Sequence, residues 1–514
     1  MCTATFMIQV DVTIVNVALP EIQRGLRMTP GELEWIISAY ALALAALIPV
    51  AGALGDRFGR RRVFLFGVTL FTFGSIACAL APTGESLIAC RALQGVGGAA
   101  MLALTLSIIA EAFPAETRMQ AIGTWAAIGG TGFGVGPVVG GVLLSFFGWA
   151  SVFWVNLPFA VVTVVLTRRA VKESRGPVSG RLDGAGVGLS ALGLVGVTLG
   201  LIESASHPWS GALVAGPLAV GLALLACFAF WERRAAQPMI PPALLGARSF
   251  VSACAVYLIS YTAFSGVLFF ATLLYQDVDG WSPLRTGLSW LFMNIPFLFM
   301  AQLTGRIGHD RPPGRVVAGG CLIGALGIFA LSRAGSGAPF GLTAVGYVLA
   351  GGGFGVLVPG VTHVAMRDVP AGVSGAASGV VNASRQIGTS VGLAVLGSLG
   401  VTAAASRWRD AVHHLPAATR AGAEAQAQNV AGAHLAAVSR ALGSGYRGLA
   451  TQSFVHGYHL ALGVGAACAA AAAVTALLGF RRRTCDNRVR ERRLSGVTPK
   501  PMTLRERQSS DGNR

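Results

Sequence analysis

Gly52-Ala-Leu-Gly-Asp56-Arg57-Phe-Gly59-Arg60-Arg61-Arg62 falls between two long apolar runs, 34–55 and 63–82. A weaker echo, Gly305-Arg306-Ile-Gly308-His309-Asp310-Arg311-Pro-Pro-Gly314-Arg315, follows the run 285–304. The same kind of loop thus appears twice, each time after the second apolar run of a half. Within the first copy each residue type has a mechanical use. Gly52 permits close approach of a neighbouring helix, and Gly59 permits a tight turn. Asp56 can pair with an arginine or cap a helix N-terminus.

A membrane-crossing helix needs about 20 apolar residues. Fourteen runs approach or exceed that length: 5–19, 34–55, 63–82, 86–110, 120–146, 149–167, 184–203, 210–231, 249–275, 285–304, 316–333, 337–360, 374–404 and 455–480. Aligning the two loop copies pairs helices 1–6 with helices 9–14 and leaves helices 7 and 8 as an insertion. The expected fold is all-α: a polytopic membrane protein of fourteen helices, with two six-helix pseudo-repeats and an inserted helix pair. The divisions are 1–167 for the first half and 168–248 for the insertion with its flanking loops. Residues 249–480 form the second half, with an outer loop at 405–453, and 481–514 form a basic tail. Such repeats are typical of transporters that hold substrate between the halves near the membrane midplane.

Composition agrees. Mean hydropathy is +0.63 and only 12% of residues are charged, against about 25% in soluble domains. That excludes a water-soluble enzyme and a disordered regulator. The net charge is +17, and its distribution sets the orientation. With both termini inside, the inner loops hold 17 Lys and Arg residues, from Arg57 to Arg367. The outer short loops hold at most four: Arg24, Arg27, Arg333 and the boundary residue Arg285. This positive-inside bias puts both termini in the cytoplasm. The tail reads as an anchor beside anionic lipid, without the aromatic residues or recognition fold of a nucleic-acid binder. Lys172 and Lys500 are the only lysines, and the Arg and Ala bias suggests a high-GC bacterial genome. The first run has no basic leader and reads as a transmembrane helix with a clipped start, not a signal peptide. The alanine-rich outer loop reads as a passive linker, compatible with a helix over 417–442.

Enzyme and metal signatures are missing from the sequence. The eight cysteines are scattered without a CxxC pair, and the histidines lack metal spacing. Gly351-Gly-Gly-Phe-Gly355 has neither the strand nor the Lys-Ser/Thr of a phosphate loop, so it reads as close helix packing. The informative residues are the charges left inside the apolar runs, because each is expensive to keep in a membrane. They are Asp11, Arg91 and Arg385. A buried carboxylate such as Asp11 can take a proton from one side and release it to the other. Glu203 closes a helix at the outer interface, and Asp277 and Asp279 fall in an outer loop; all three read as solvated.

Six motifs in order resemble one family. Gly52, Leu54, Asp56, Arg57, Gly59, Arg60 and Arg61 are similar to the loop signature of the major facilitator superfamily. Asp11-Val-Thr-Ile-Val-Asn16-Val-Ala18-Leu19-Pro20 resembles the first-helix motif of its fourteen-spanner drug:proton antiporters. Arg91, Gln94, Gly95, Gly97, Gly98 and Ala99 resemble the fourth-helix motif. Gly123, Gly132, Gly136, Pro137, Gly140 and Gly141 fit the fifth-helix antiporter motif. Phe153-Trp154-Val-Asn156-Leu157-Pro158 and Asn382, Arg385, Gln386 and Gly388 match the motifs of helices 6 and 13. The resemblance covers about residues 6–480.

The resemblance implies a monomeric, non-enzymatic exporter in the cytoplasmic membrane. It would work by alternating access, driven by the proton gradient without cofactor or metal. Its cargo would be drugs, antibiotics or other amphipathic, often cationic compounds. Asp11, Arg91 and Arg385 would serve proton coupling and transport. The loop residues Gly52, Asp56, Arg57, Gly59 and Arg60 would serve gating, and the helix 5 motif would block a leak path. An exporter or uniporter of an endogenous metabolite is the alternative within transport. A membrane-embedded redox subunit would want buried lysines, and both lysines here lie outside the runs.

Overall fold

The computed structural model describes residues 1–28, 30–176, 183–204, 207, 209–235, 238–240, 242–307 and 312–480. Every regular element among them is helical. The long helices of the first half are α1 (Cys2–Leu26), α2 (Pro30–Phe58), α3 (Arg60–Ala79), α4 (Gly84–Ala112), α5 (Ala115–Phe147) and α6 (Asn156–Ala170). The inserted pair is α7 (Gly184–Glu203) and α8 (Ala212–Glu232). The second half holds α9 (Arg248–Thr272), α10 (Leu291–Ile307), α11 (Pro313–Arg333), α12 (Phe340–Arg367), α13 (Ser374–Val412) and α14 (Arg447–Gly479). With the short turns that abut α6, α9, α10 and α14, fourteen stretches are long and apolar enough to cross a membrane.

The packing repeats with the offset that the two loops suggest. In the first half α1 packs on α5, α2 and α3 both pack on α4, and α6 packs on α3 and α1. In the second half α9 packs on α13, α10 and α11 both pack on α12, and α14 packs on α11 and α9. The contacts between halves obey the same symmetry: α5 meets α10 while α13 meets α2, and α4 meets α13 while α12 meets α5. The inserted helices pack on each other, and α7 rests on α2 and α13. Small residues permit these crossings, since lipid provides no hydrophobic drive between helices. A Cβ at Gly351 would lie 1.9 Å from the Met293 carbonyl, and one at Gly353 would lie 2.3 Å from the Gly324 amide. The glycine run is helix packing, as its sequence context suggests. Large apolar side chains such as Phe66, Phe73, Phe146 and Leu326 point outward, as a lipid-facing surface requires.

Three boundaries differ from the sequence reading. First, α1 continues past Pro20 to Leu26. A proline inside a membrane helix is tolerated where its surroundings re-satisfy the backbone, and Pro20 falls within two turns of the end of α1. Second, α13 runs to Val412, two turns beyond the expected end at 404. Third, the 405–453 loop is an ordered cap and not a passive linker. Short helices Ala417–Glu424, Ala427–Ala431 and Leu435–Leu442 replace the single helix anticipated over 417–442. Val430, Leu435 and Val438 are buried in one cluster with Trp408 and Val412 of α13 and Phe454 and Tyr458 of α14. The Trp408 indole N–H donates to the Ala423 carbonyl at 2.8 Å. The cap forms because the extended α13 carries Trp408 out to meet an apolar spacing that abundant alanine conceals in the sequence. The centre of the second loop copy, Gly308 to Arg311, lies outside the described residues, as do Arg181, Cys485 and the tail 481–514.

Candidate functional site

The first charged cluster lies inside the first half, where five helical segments meet. Asp11 on α1 and Arg91 on α4 are fully buried and form an ion pair, Arg91 Nη1 to Asp11 Oδ2, at 2.7 Å. The other carboxylate oxygen accepts from Gln94 Nε2 at 2.8 Å and from Asn156 Nδ2 at 2.8 Å. Arg91 Nη1 also donates to Gln94 Oε1 at 2.6 Å, and its Nε donates to the Ile36 carbonyl of α2 at 3.3 Å. Asn156 reaches Ser75 on α3 at 3.0 Å, and Ser75 donates to the Phe153 carbonyl at 2.8 Å. The guanidinium lies 4.3 Å from the centre of the Tyr40 ring, a favourable cation–π placement. A buried charge is tolerated only when paired and hydrogen-bonded, and here both partners are. Sequence reasoning singled out Asp11 and Arg91. It quoted Gln94 and Asn156 only as motif letters and missed Ser75. A polar side chain within an apolar run was the available signal.

Arg385 does not join this pair. It sits on α13 of the other half, where Nη1 donates to Asn382 Oδ1 at 3.2 Å. Its guanidinium carbon lies 4.9 Å from the Tyr261 ring centre and 5.7 Å from those of Tyr257 and Trp125.

The loop residues form a contact between halves. Asp56 Oδ1 accepts from Arg60 Nη2 at 2.7 Å and Nε at 2.9 Å. It also accepts from the Gly375 amide at 2.9 Å, and Oδ2 accepts from the Ala376 amide at 2.9 Å. Those amides belong to the first turn of α13, so Asp56 caps a helix of the opposite half. This fulfils both uses expected of it, the arginine pair and the helix cap. Arg60 is also paired with Glu111. A Cβ at Gly52 would lie 2.2 Å from the Gly375 carbonyl. Three further contacts extend the junction: Ser107 to Ser374 at 2.8 Å, Ser378 to the Ala103 carbonyl, and Asn382 to the Leu102 carbonyl at 3.2 Å. Gly59 adopts φ 109°, and Glu173 caps the start of α3 through the amides of Arg61 and Arg62 at 3.1 and 3.2 Å. Glu173 was not anticipated. Arg57 is half-buried, its guanidinium 5.5 Å from the Phe58 ring centre.

The glycines of α5 form two stripes. Gly132, Gly136 and Gly140 face α1, and a Cβ at Gly136 would lie 1.9 Å from Thr13 Oγ1. Gly123 faces α10 of the other half, with Ala301 and Gly305 as neighbours. Pro137 lies within α5, opposite Gly287. Gly141 differs from these, since a Cβ there meets nothing within 4 Å. Away from these clusters, Glu203 closes α7 and pairs with His207 at 3.1 Å.

A family model described as Major Facilitator Superfamily matches residues 1–184 and 172–393. The multidrug resistance protein Stp of Mycobacterium tuberculosis (strain ATCC 25618 / H37Rv) is 38% identical over 408 residues, covering 77% of this chain and 73% of Stp. A tetracenomycin C resistance and export protein of Streptomyces glaucescens is 31% identical over 503 residues, covering 94% of this chain and 91% of its own. Among solved structures, the proton:xylose symporter XylE superposes with a TM-score of 0.59 at 13% identity, over 92% of this chain and 93% of XylE. That likeness concerns the fold alone.

Proposed function

Because this chain belongs to the major facilitator superfamily, a family of multi-pass membrane transporters, we propose that it is a proton-coupled exporter of drugs or antibiotics. Its relatives named for multidrug resistance and for tetracenomycin C export support the direction and the cargo class. The cargo is an amphipathic small molecule, and no cofactor or metal takes part. The protein works as a monomer in the cytoplasmic membrane of a bacterium, with both termini inside. Residues 1–167 and 249–480 act as the two rocking halves, and 168–248 is an accessory pair.

The observation that carries proton coupling is the state of Asp11, a carboxylate inside a membrane helix, fully buried and paired with Arg91 at 2.7 Å. Taking up a proton removes its charge and releases Arg91, so proton binding rearranges the centre of the first half. Competition between that event and cargo binding gives antiport. The Asp56 contact holds the halves together at the face of the α2–α3 loop, which is the cytoplasmic face on the charge bias. Opening that contact admits cargo from inside. The close α5 packing keeps the halves sealed against leak.

Everted vesicles test this reading. Cargo added to energised vesicles should release protons, and an uncoupler should abolish the flux. The variant Asp11→Asn should insert normally and lose proton-coupled efflux. Normal efflux from a properly inserted Asp11→Asn protein removes Asp11 from the coupling site.

A further inference from the structure

Among the described residues no carboxylate pairs with Arg385. Between Phe250 and Phe480 the acidic residues are Asp277, Asp279, Asp310, Asp368, Asp410 and Glu424, and those among the described residues lie in loops or near helix ends. The membrane interior of the second half therefore carries one positive charge and no negative one. Asp11, the carboxylate buried in the centre of the first half, is already matched to Arg91. Among the described residues the groups around Arg385 are neutral: Asn382 and the rings of Tyr261, Tyr257 and Trp125. Arg385 Nε has no hydrogen-bond partner. A charge at this depth normally has a partner or faces a water-filled cavity.

The surroundings form a rigid aromatic wall. Trp125 comes from α5 of the opposite half and is fixed by its N–H to Thr5 Oγ1 at 2.8 Å. Tyr257 is fixed by its hydroxyl to the Val358 carbonyl at 2.7 Å. Tyr261 and Phe264 pack on Phe354 at ring-centre distances of 5.8 and 4.2 Å. Trp125 and Tyr257 are fully buried, yet Arg385 and Tyr261 keep accessible surface. With Trp125 of α5 on one side and Tyr257 and Tyr261 of α9 on the other, Arg385 lies where the two halves meet.

We infer that Arg385 is the recognition point for an aromatic organic anion, a carboxylate or an equally acidic enolate or phenolate, carried as cargo. The inference rests on the export reading above and names its cargo class. The planar guanidinium offers a donor fork that fits a carboxylate in bidentate fashion, and the rings beside it offer faces to an aryl group. Cargo of this kind supplies the negative charge that the second half lacks. This departs from the cationic cargo that the resemblance implies.

The test is equilibrium binding to the purified full chain in lipid nanodiscs, using three acid–amide pairs: benzoate and benzamide, 2-naphthoate and 2-naphthamide, 9-anthroate and its amide. At least one acid should bind about tenfold or more tighter than its amide, the equivalent of one charged hydrogen bond. Arg385→Gln should erase that preference, and Arg385→Lys should keep part of it. If no acid outbinds its amide, or the preference survives Arg385→Gln, the inference is wrong. Should Arg385→Gln fail to give a monodisperse protein, the acid–amide comparison in the unmodified chain and in Arg385→Lys still decides. Repeating the titrations in gluconate and in chloride separates the sources of the anion. Acid binding that persists in chloride supports an organic cargo, whereas complete displacement assigns the position to an inorganic anion and overturns the proposal. Binding needs no proton gradient, so a failure of proton coupling would leave this result standing, and the reverse holds too.

Discussion

Replacing Asp56 by alanine isolates the contact between the halves. Its carboxylate makes two kinds of bond. Those to Arg60, at 2.7 and 2.9 Å, lie within one half and persist when the halves part. Those to the amides of Gly375 and Ala376, both at 2.9 Å, cross between halves and exist only while this face is closed. Only the second pair changes the balance between closed and open. Removing a helix cap costs about 0.5–2 kcal/mol, and hydrogen bonds to a charged group contribute about 1.5–3 kcal/mol. Because water replaces both bonds on opening, about 2 kcal/mol is a fair figure, or a shift of roughly 30-fold toward the open state. The assay is labelling of Ser107→Cys by a membrane-impermeant thiol reagent in inside-out vesicles, with the native cysteines replaced. Ser107 is buried against Ser374 of the opposite half, so its labelling rate follows the open population. Asp56→Ala should raise the rate about 30-fold, and Asp56→Asn, which keeps an acceptor without the charge, by less. A change below about twofold in Asp56→Ala would refute the latch, because even the weakest cap value of ~0.5 kcal/mol predicts that much.

Three other outcomes follow from the packing. Arg91→Ala leaves the Asp11 carboxylate buried and unpaired, which costs about 3–5 kcal/mol; thermal unfolding in detergent should show a large loss that the double variant Asp11→Asn, Arg91→Gln partly restores. Gly136→Ala forces a methyl group to 1.9 Å from Thr13 Oγ1 and should cost about 1–3 kcal/mol by overpacking, whereas Gly141→Ala should leave the melting temperature unchanged. Trp408→Ala empties the centre of the outer cap and should cost about 3–5 kcal/mol locally, read out as faster protease cleavage between Ala417 and Leu442 from the outer face.

The sequence was most legible where a physical rule acts on a single residue. The cost of charge in a membrane picked out Asp11 and Arg91 before any contact was known, and the structure brings them together. Helix count and the duplicated loop followed from apolar length and from turn chemistry. Partners were harder. Asn156 and Ser75 lie on segments far from Asp11 in sequence, and nothing in the local pattern says that three helices converge there. Glu173 reads as one loop charge among several arginines until the chain folds it over the start of α3. The cap was hidden for a different reason: alanine serves buried and exposed positions alike, so the apolar spacing around Val430 and Val438 carries little contrast.

One helix belongs to both clusters. Near one end, α2 presents the Ile36 carbonyl to Arg91 Nε at 3.3 Å and the Tyr40 ring to its guanidinium at 4.3 Å. At the other end it carries Gly52 and Asp56 against the first turn of α13. From Ile36 to Asp56 the helix spans roughly 30 Å at 1.5 Å per residue, about the thickness of a bilayer core. Pro49 lies between the two ends, inside the helix, where a missing hydrogen bond makes bending easier. Gly379 of α13 packs at that same level, and a Cβ there would lie 2.9 Å from Pro49 Cα. On the proposed coupling a proton on Asp11 would free Arg91, and Arg91 holds one end of α2 through a carbonyl and a ring. The other end of the same helix carries the Asp56 contact to the opposite half. Two sites that share no hydrogen bond thus touch one helix, the element through which the proposed coupling would have to pass.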